Sequence, residues 1–275
     1  MKTPQIILVL SALAVGVGLY MMPMAPIAEE AHDHAHEGEE VAYNIQDDLT
    51  EIKNNLDSAA LARVNGWETS DNPSAIDSLI AFYDLLRKPI GSAHYSLEQA
   101  KITNDVDDWT ETGERFLLNA KYMGSQEQKT SWYAEARTCF EKATELSPDD
   151  LEIQVDLGVC LIEGASFLGT PPMEGIGILK KVEQVDPNNI KALINLGYFA
   201  IKSGQFEKAE ERFNQVIKID GEYAESYLYL ADLHERQKNY TAAIADLENF
   251  KSLISDDQNK VDEVDAYILE LSKNI

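Results

Sequence analysis

Residues 190–223 read IKALINLGYFAIKSGQFEKAEERFNQVIKIDGEY, and residues 224–257, AESYLYLADLHERQKNYTAAIADLENFKSLISDD, start the same pattern again. Leu196-Gly197, Gly204-Gln205-Phe206, Ala209, Phe213 and Val216 recur as Leu230-Ala231, Lys238-Asn239-Tyr240, Ala243, Leu247 and Phe250. The period is about 34 residues, the length of a helix, a turn and a second helix. Leu193, Leu196, Phe206, Phe213 and Val216 fall at helical spacing and form one apolar seam. Small residues, Gly197 on the first helix and Ala209 on the second, sit where two backbones must approach closely. Gly204 ends the first helix, because glycine enters a left-handed cap without steric penalty. A single such hairpin cannot bury its apolar face, whereas stacked hairpins can, each touching only its neighbours.

The pattern extends towards the amino end. Leu157-Gly158 opens a unit over 151–189 that closes at Asp186-Pro187, with extra residues in its turn at 166–172. Trp109 to Gly113 open another, over 108–150, with Tyr133, Ala136, Phe140 and Ala143 on its second helix and an insertion in its turn at 124–130. A fainter unit covers 74–107, where Ile80-Ala81, Lys88-Pro89-Ile90, Ala93, Leu97 and Ala100 keep the order. Residues 45–73 form an amino-terminal helical cap, with a single helix over 45–64 carrying Leu49, Ile52, Leu56, Ala60 and Leu61 on one face. Residues 258–275 contain a capping helix with a polar outer side.

This combination of Gly, Ala, aromatic and Pro at fixed offsets over 74–257 resembles the tetratricopeptide repeat (TPR) family, of an exported or membrane-anchored bacterial type. The resemblance implies an all-α, TPR-like helix-turn-helix solenoid wound into a right-handed superhelix, and a task of holding another protein. It also implies that the first helix of every unit lines a concave groove. On this sequence those positions are Val155, Val159, Lys191, Ile194, Tyr198, Lys202, Leu228, Asp232 and Arg236. Apolar residues flanked by mixed charge suit a peptide or helix laid in a groove. The Lys/Asn clamp with which some relatives hold acidic carboxyl termini is not reproduced: Asn195 and Lys202 stand alone.

Composition narrows the partner. The chain of 275 residues has 48 acidic against 23 basic side chains, a net charge of −25. Nucleic acid is excluded as a partner, since phosphate binding needs a basic stripe; a basic partner, or one exposing an apolar peptide, fits. Residues 6–24 are nearly continuous apolar sequence preceded only by Lys2, long enough to span about 30 Å of hydrocarbon. The expectation for 1–27 is a signal anchor, giving a single-pass inner-membrane protein with a periplasmic body. The alternative is a signal peptide cleaved after a poor A-x-A-like site at Pro26-Ile27-Ala28, leaving a periplasmic protein. Residues 28–44 are polar, acidic and poor in aromatics, and read as a disordered tether.

Catalytic chemistry is not expected. His32, His34 and His36 alternate in the tether and could bind Zn²⁺, Ni²⁺ or Cu²⁺ weakly; the competing reading is a solvated spacer, and no cofactor is otherwise expected. Cys139 and Cys160 fall on successive helices, so either a disulfide or two buried thiols is open. His94 and His234 lie alone on helices. His234-Glu235 lacks the second His of a zinc-protease helix, and Gly175-Ile176-Gly177 lacks the strand and remaining glycine of a dinucleotide loop. The expected function is a non-catalytic scaffold or assembly adaptor of the cell envelope. The rivals are a periplasmic metal-handling protein and a self-associating homo-oligomer.

Overall fold

The computed structural model describes residues 43–275. The apolar run at 6–24 and His32, His34 and His36 lie outside the described residues. Every regular element described is helical, and no described helix is long and apolar enough to cross a membrane. The chain divides into two compact units, 41–199 and 200–275.

The first unit opens with α1 (Ile45–Asn54) and α2 (Ser58–Glu68). The single helix expected over 45–64 is therefore two. Asn55 turns its side-chain amide back onto the Glu51 carbonyl at 2.9 Å, and Asp57 caps the Ala60 N–H at 2.7 Å to start a new helix. Helices α3 (Ala75–Leu85) and α4 (Pro89–Thr103) form the next hairpin. Its turn is a Schellman cap: the Lys88 N–H donates to the Tyr83 carbonyl and that of Arg87 to Asp84, both at 2.9 Å, with Arg87 at φ 52°. Ala81, expected at the close crossing, is exposed. The crossing is made by Gly91, where a Cβ would lie 2.3 Å from the Tyr83 ring.

Helices α5 (Val106–Ala120) and α6 (Gln126–Leu146) follow. The insertion expected as turn at 124–130 mostly lengthens α6, which reaches 21 residues and begins with a capping box between Ser125 and Gln128. Gly113 meets the face of Phe140, where a Cβ would come within 2.8 Å of the ring. Trp132, Phe116 and Phe140 are wholly enclosed around this crossing, Phe116 and Trp132 edge to face with centroids 5.0 Å apart.

Helix α7 (Leu151–Glu163), the short α8 (Ala165–Leu168) and α9 (Pro172–Val185) form the third hairpin. Here two backbones touch. A Cβ on Gly175 would stand 2.2 Å from the Gly158 carbonyl oxygen and 2.7 Å from Ile162. Gly175 is thus a helix-crossing residue, and the Gly175-Ile176-Gly177 run has no nucleotide-loop geometry.

Helix α10 (Ile190–Lys202) contains the division between the units. The second unit continues with α11 (Phe206–Ile219), α12 (Ala224–Arg236), α13 (Tyr240–Leu253), α14 (Gln258–Leu271) and a final 3-10 turn, Ser272–Asn274. Gly204, at φ 72°, caps α10 through N–H bonds from Gly204 to Ile201 and from Gln205 to Ala200. Lys238, at φ 59°, makes the same cap on α12. Ala231 and Ala243 occupy the crossing of α12 and α13, and Val264 and Leu271 of α14 join Leu247 and Phe250 in one core cluster.

Candidate functional site

The residues assigned to a groove divide between the units. In the first, Val155 is fully buried among Leu179, Val182 and Leu196. It belongs to the core and cannot meet a partner, which corrects its assignment: helices α9 and α10 close over it. Ile194 is also buried. Val159 and Tyr198 are half-buried and pack on the same cluster, so these two share one patch.

Lys191 is not a free charge. Its ammonium lies 2.8 Å from the Asp156 carboxylate and 3.8 Å from Glu152. Asp156 is enclosed, and burial pushes its carboxyl up to about 6 although the hydrogen bond and charge of Lys191 pull the other way. Glu114 and Glu152 add to the rise. Glu152 also accepts from Asn189 Nδ2 at 2.7 Å, tying α7 to the start of α10. The sequence reading missed Asp156 because nothing in one acidic residue among many marks it as buried.

In the second unit Lys202 is exposed, Leu228 packs partly on the core, and Arg236 holds Asp232 at 2.9 Å one helical turn away. Burial raises the Asp232 carboxyl despite that pairing. Tyr267 donates to Glu235, joining α14 to α12. His234 is a joining residue too: its Nδ1 lies 2.7 Å from Asp246, on α13, and its Nε2 3.9 Å from Glu210, on α11.

His94 is enclosed in the first unit, its ring nitrogens 3.3 Å from Gln46 Nε2, and burial lowers its pKa. Beside it Glu68 accepts from Lys53 and from Tyr95. Burial alone would raise the Glu68 carboxyl, but those two bonds and the charges of Lys53 and His94 together outweigh it and hold it low. These polar contacts fasten the amino-terminal hairpin to α4. Cys139 and Cys160 are free, buried thiols in this structure, and burial pushes both up to about 12. Among the described residues no group of three or more His, Cys, Asp or Glu is placed to hold a metal.

Family comparisons agree with the hairpin geometry. A tetratricopeptide repeat model matches residues 194–249, and a second matches 128–150. None of the curated proteins compared matches the sequence. Among solved structures, PilW, described as a widely conserved type IV pilus biogenesis factor, aligns over 75% of this chain and 88% of its own, at 17% identity and TM-score 0.53. The thermophilic TPR protein TTC0263 of Thermus thermophilus aligns over 73% of this chain and 98% of its own, at 15% identity and TM-score 0.53. MamA of Desulfovibrio magneticus RS-1 aligns over 68% and 98%, at 18% identity and TM-score 0.47. The chain thus carries stretches that match tetratricopeptide repeats, at 128–150 and 194–249, within an all-α helical-repeat fold.

Proposed function

We propose that the protein is a non-catalytic scaffold that holds a peptide or helix of a partner protein on the first helices of its repeats. The observation that carries this reading is the patch in which Val159 and Tyr198 share one apolar cluster beside the Asp156–Lys191 pair. Apolar purchase flanked by fixed charge suits side-chain recognition, and a preformed helical surface limits the ordering entropy lost on binding.

The apolar sequence at 6–24 supports an inner-membrane anchor with the body in the periplasm, raising the local concentration of the scaffold beside its partners. Cleavage near residue 28 would instead release it. An assembly role in the cell envelope follows from that placement. Amino-terminal sequencing of the membrane fraction separates the two: a chain beginning near Glu29 contradicts the anchor.

Partner capture is tested by crosslinking and pull-down from native membranes. Tyr198→Ala combined with Lys202→Glu is expected to abolish capture while circular dichroism stays unchanged. Undiminished capture by that variant contradicts the use of this face.

A further inference from the structure

Two leucines stand out from the first helices of neighbouring hairpins. Leu85, at the end of α3, is 82% exposed, and Leu118, near the end of α5, is 64% exposed. They lie 33 residues apart, close to one repeat, so both fall at the same step of the pattern. Arg115, one helical turn before Leu118, grips both carboxylate oxygens of Asp84, which directly precedes Leu85. That bridge sets α5 beside α3 and the two leucines on one face. Val159 on α7 and Tyr198 on α10, both half-buried, continue the apolar row across the next two first helices.

A ladder of charge runs alongside that row. Arg115 also binds Glu111 on its own helix at 2.8 Å. Glu114, on the same helix, acts through its charge on Asp156 of α7. Lys191 of α10 holds Asp156 and lies 3.8 Å from Glu152. Five carboxylates thus share two cations. Glu114 is exposed, and none of the described cations pairs with it. The crowding is felt: after burial, the like charges of Glu114 and Glu152 add to the rise of the Asp156 carboxyl. The turns beyond the leucines carry Arg87, Lys88 and Lys121, but Lys88 lines an open cavity with Asp48 and Glu51. With all of these included, carboxylates still outnumber cations, seven to five.

Such a surface selects its occupant by charge. Anionic polymers and headgroups are repelled, and so is a second copy of this chain, which carries −25. An uncharged apolar segment would cover the leucines but leave Glu114 desolvated without a partner. A segment with lysine or arginine beside its apolar residues answers both features. Spacing favours a helix. Packed helices lie about 8–10 Å apart, and an α-helix returns residues i and i+7 to one face about 10 Å apart. Apolar residues at heptad spacing therefore meet one first helix after another.

We infer that this face binds a basic amphipathic helix of a partner protein, whose apolar residues seat on Leu85, Leu118, Val159 and Tyr198 and whose lysines or arginines reach Glu114 and Glu152. The inference rests on the scaffold reading of the first helices. It gives the partner its chemistry and extends the docking face onto α3 and α5.

The test uses the full chain in uncharged detergent and labelled synthetic helices of about three heptads, read by fluorescence anisotropy against detergent alone. One helix carries leucines along one face and lysines on its flanks. A second replaces every lysine by glutamate, and a third scrambles the order of the first. The parent chain is expected to bind the leucine–lysine helix at least about tenfold more tightly than either control. Leu85→Ser combined with Leu118→Ser should weaken that binding at least about tenfold, because both anchors are exposed and their loss leaves the core intact. Glu114→Lys should weaken it at about 0.1 M salt, and that effect should vanish at about 1 M, where charges are screened within about 3 Å.

Equal binding of the three helices overturns the inference, as does undiminished binding by the variant lacking both leucines. The scaffold reading is judged separately, by the pull-down with Tyr198→Ala and Lys202→Glu. Loss of capture there beside either failure keeps the groove and removes only its basic occupant.

Discussion

Among the described residues, Arg87, Asn104, Gly169, Gly204 and Lys238 turn through the left-handed region at helix ends, and only two of them are glycine. Gly204, at φ 72°, adopts that conformation freely, whereas Arg87 at 52° and Lys238 at 59° hold a Cβ against the following carbonyl. Gly204→Ala is therefore expected to lower stability by about 1 kcal/mol, and Lys238→Gly to raise it by about 0.5–1 kcal/mol, in urea denaturation. Equal effects of the same sign would contradict the strain argument. The Gly204 cap was legible in the sequence. The repeat register carries it to Lys238, which aligns with Gly204, but at the turn between α3 and α4 the cap sits at Arg87, one residue before the aligned Lys88, because neither Arg nor Lys marks a left-handed turn by itself. Burial at single positions was equally hidden: Val155 and Asp156 are adjacent, one a wrongly assigned groove residue and the other an unnoticed buried carboxylate. Asp156 has its folded pKa raised from 3.8 to about 6, so folding favours its protonated form. Its carboxylate thus weakens the fold most above about pH 6, and this effect fades as the pH falls towards 3.8. Asp156→Asn should remove a pH-dependent component of about 1–3 kcal/mol between those limits. Unfolding curves of variant and parent that shift in parallel across this range would contradict it.

Elements in this chain are set by their ends as much as by their apolar stripes. The stretch at 124–130 looks like a loop because Gly124 and Ser125 open it. Yet Ser125 and Gln128 form a capping box, the Ser-x-x-Gln signature that marks a helix start. Reading that signature would have given α6 its full length. Likewise Asp57, a strong amino-terminal cap, divides what the apolar spacing alone made one helix over 45–64. Gln128 has a second role: its Nε2 donates to Asp48 at 2.7 Å and ties α6 to α1. Gln128→Ala breaks both contacts and is expected to cost about 1–2 kcal/mol. Hydrogen exchange should show the loss concentrated in α1 and the first turn of α6. Protection unchanged in α1 would mean that the Asp48 bond does not fasten the amino-terminal hairpin.

At the scale of the molecule, one rule recurs: paired helices close where a small residue removes the side chain between them. The rule was legible as a period, since Leu157-Gly158 and Leu196-Gly197 repeat a visible pattern, and it placed the hairpins of 108–189 in the right order. It failed at Ala81, which is exposed, because Gly91 from the opposite helix supplies the close approach instead. The partner was never legible, since a repeat fold states how a surface is built and not what lies on it. Helix α9 offers the sharpest test of the rule, because it carries two glycines two positions apart. A Cβ at Gly175 would stand 2.2 Å from the Gly158 carbonyl, while one at Gly177 would meet nothing within 4 Å. Urea denaturation of Gly175→Ala and Gly177→Ala, measured side by side, decides it. Nesting of hairpins through small residues requires Gly175→Ala to lose about 1–3 kcal/mol by overpacking and Gly177→Ala to gain about 0.5–1 kcal/mol by improved helix propensity. Stabilisation by both substitutions would contradict the close helix crossing on which the repeat architecture stands.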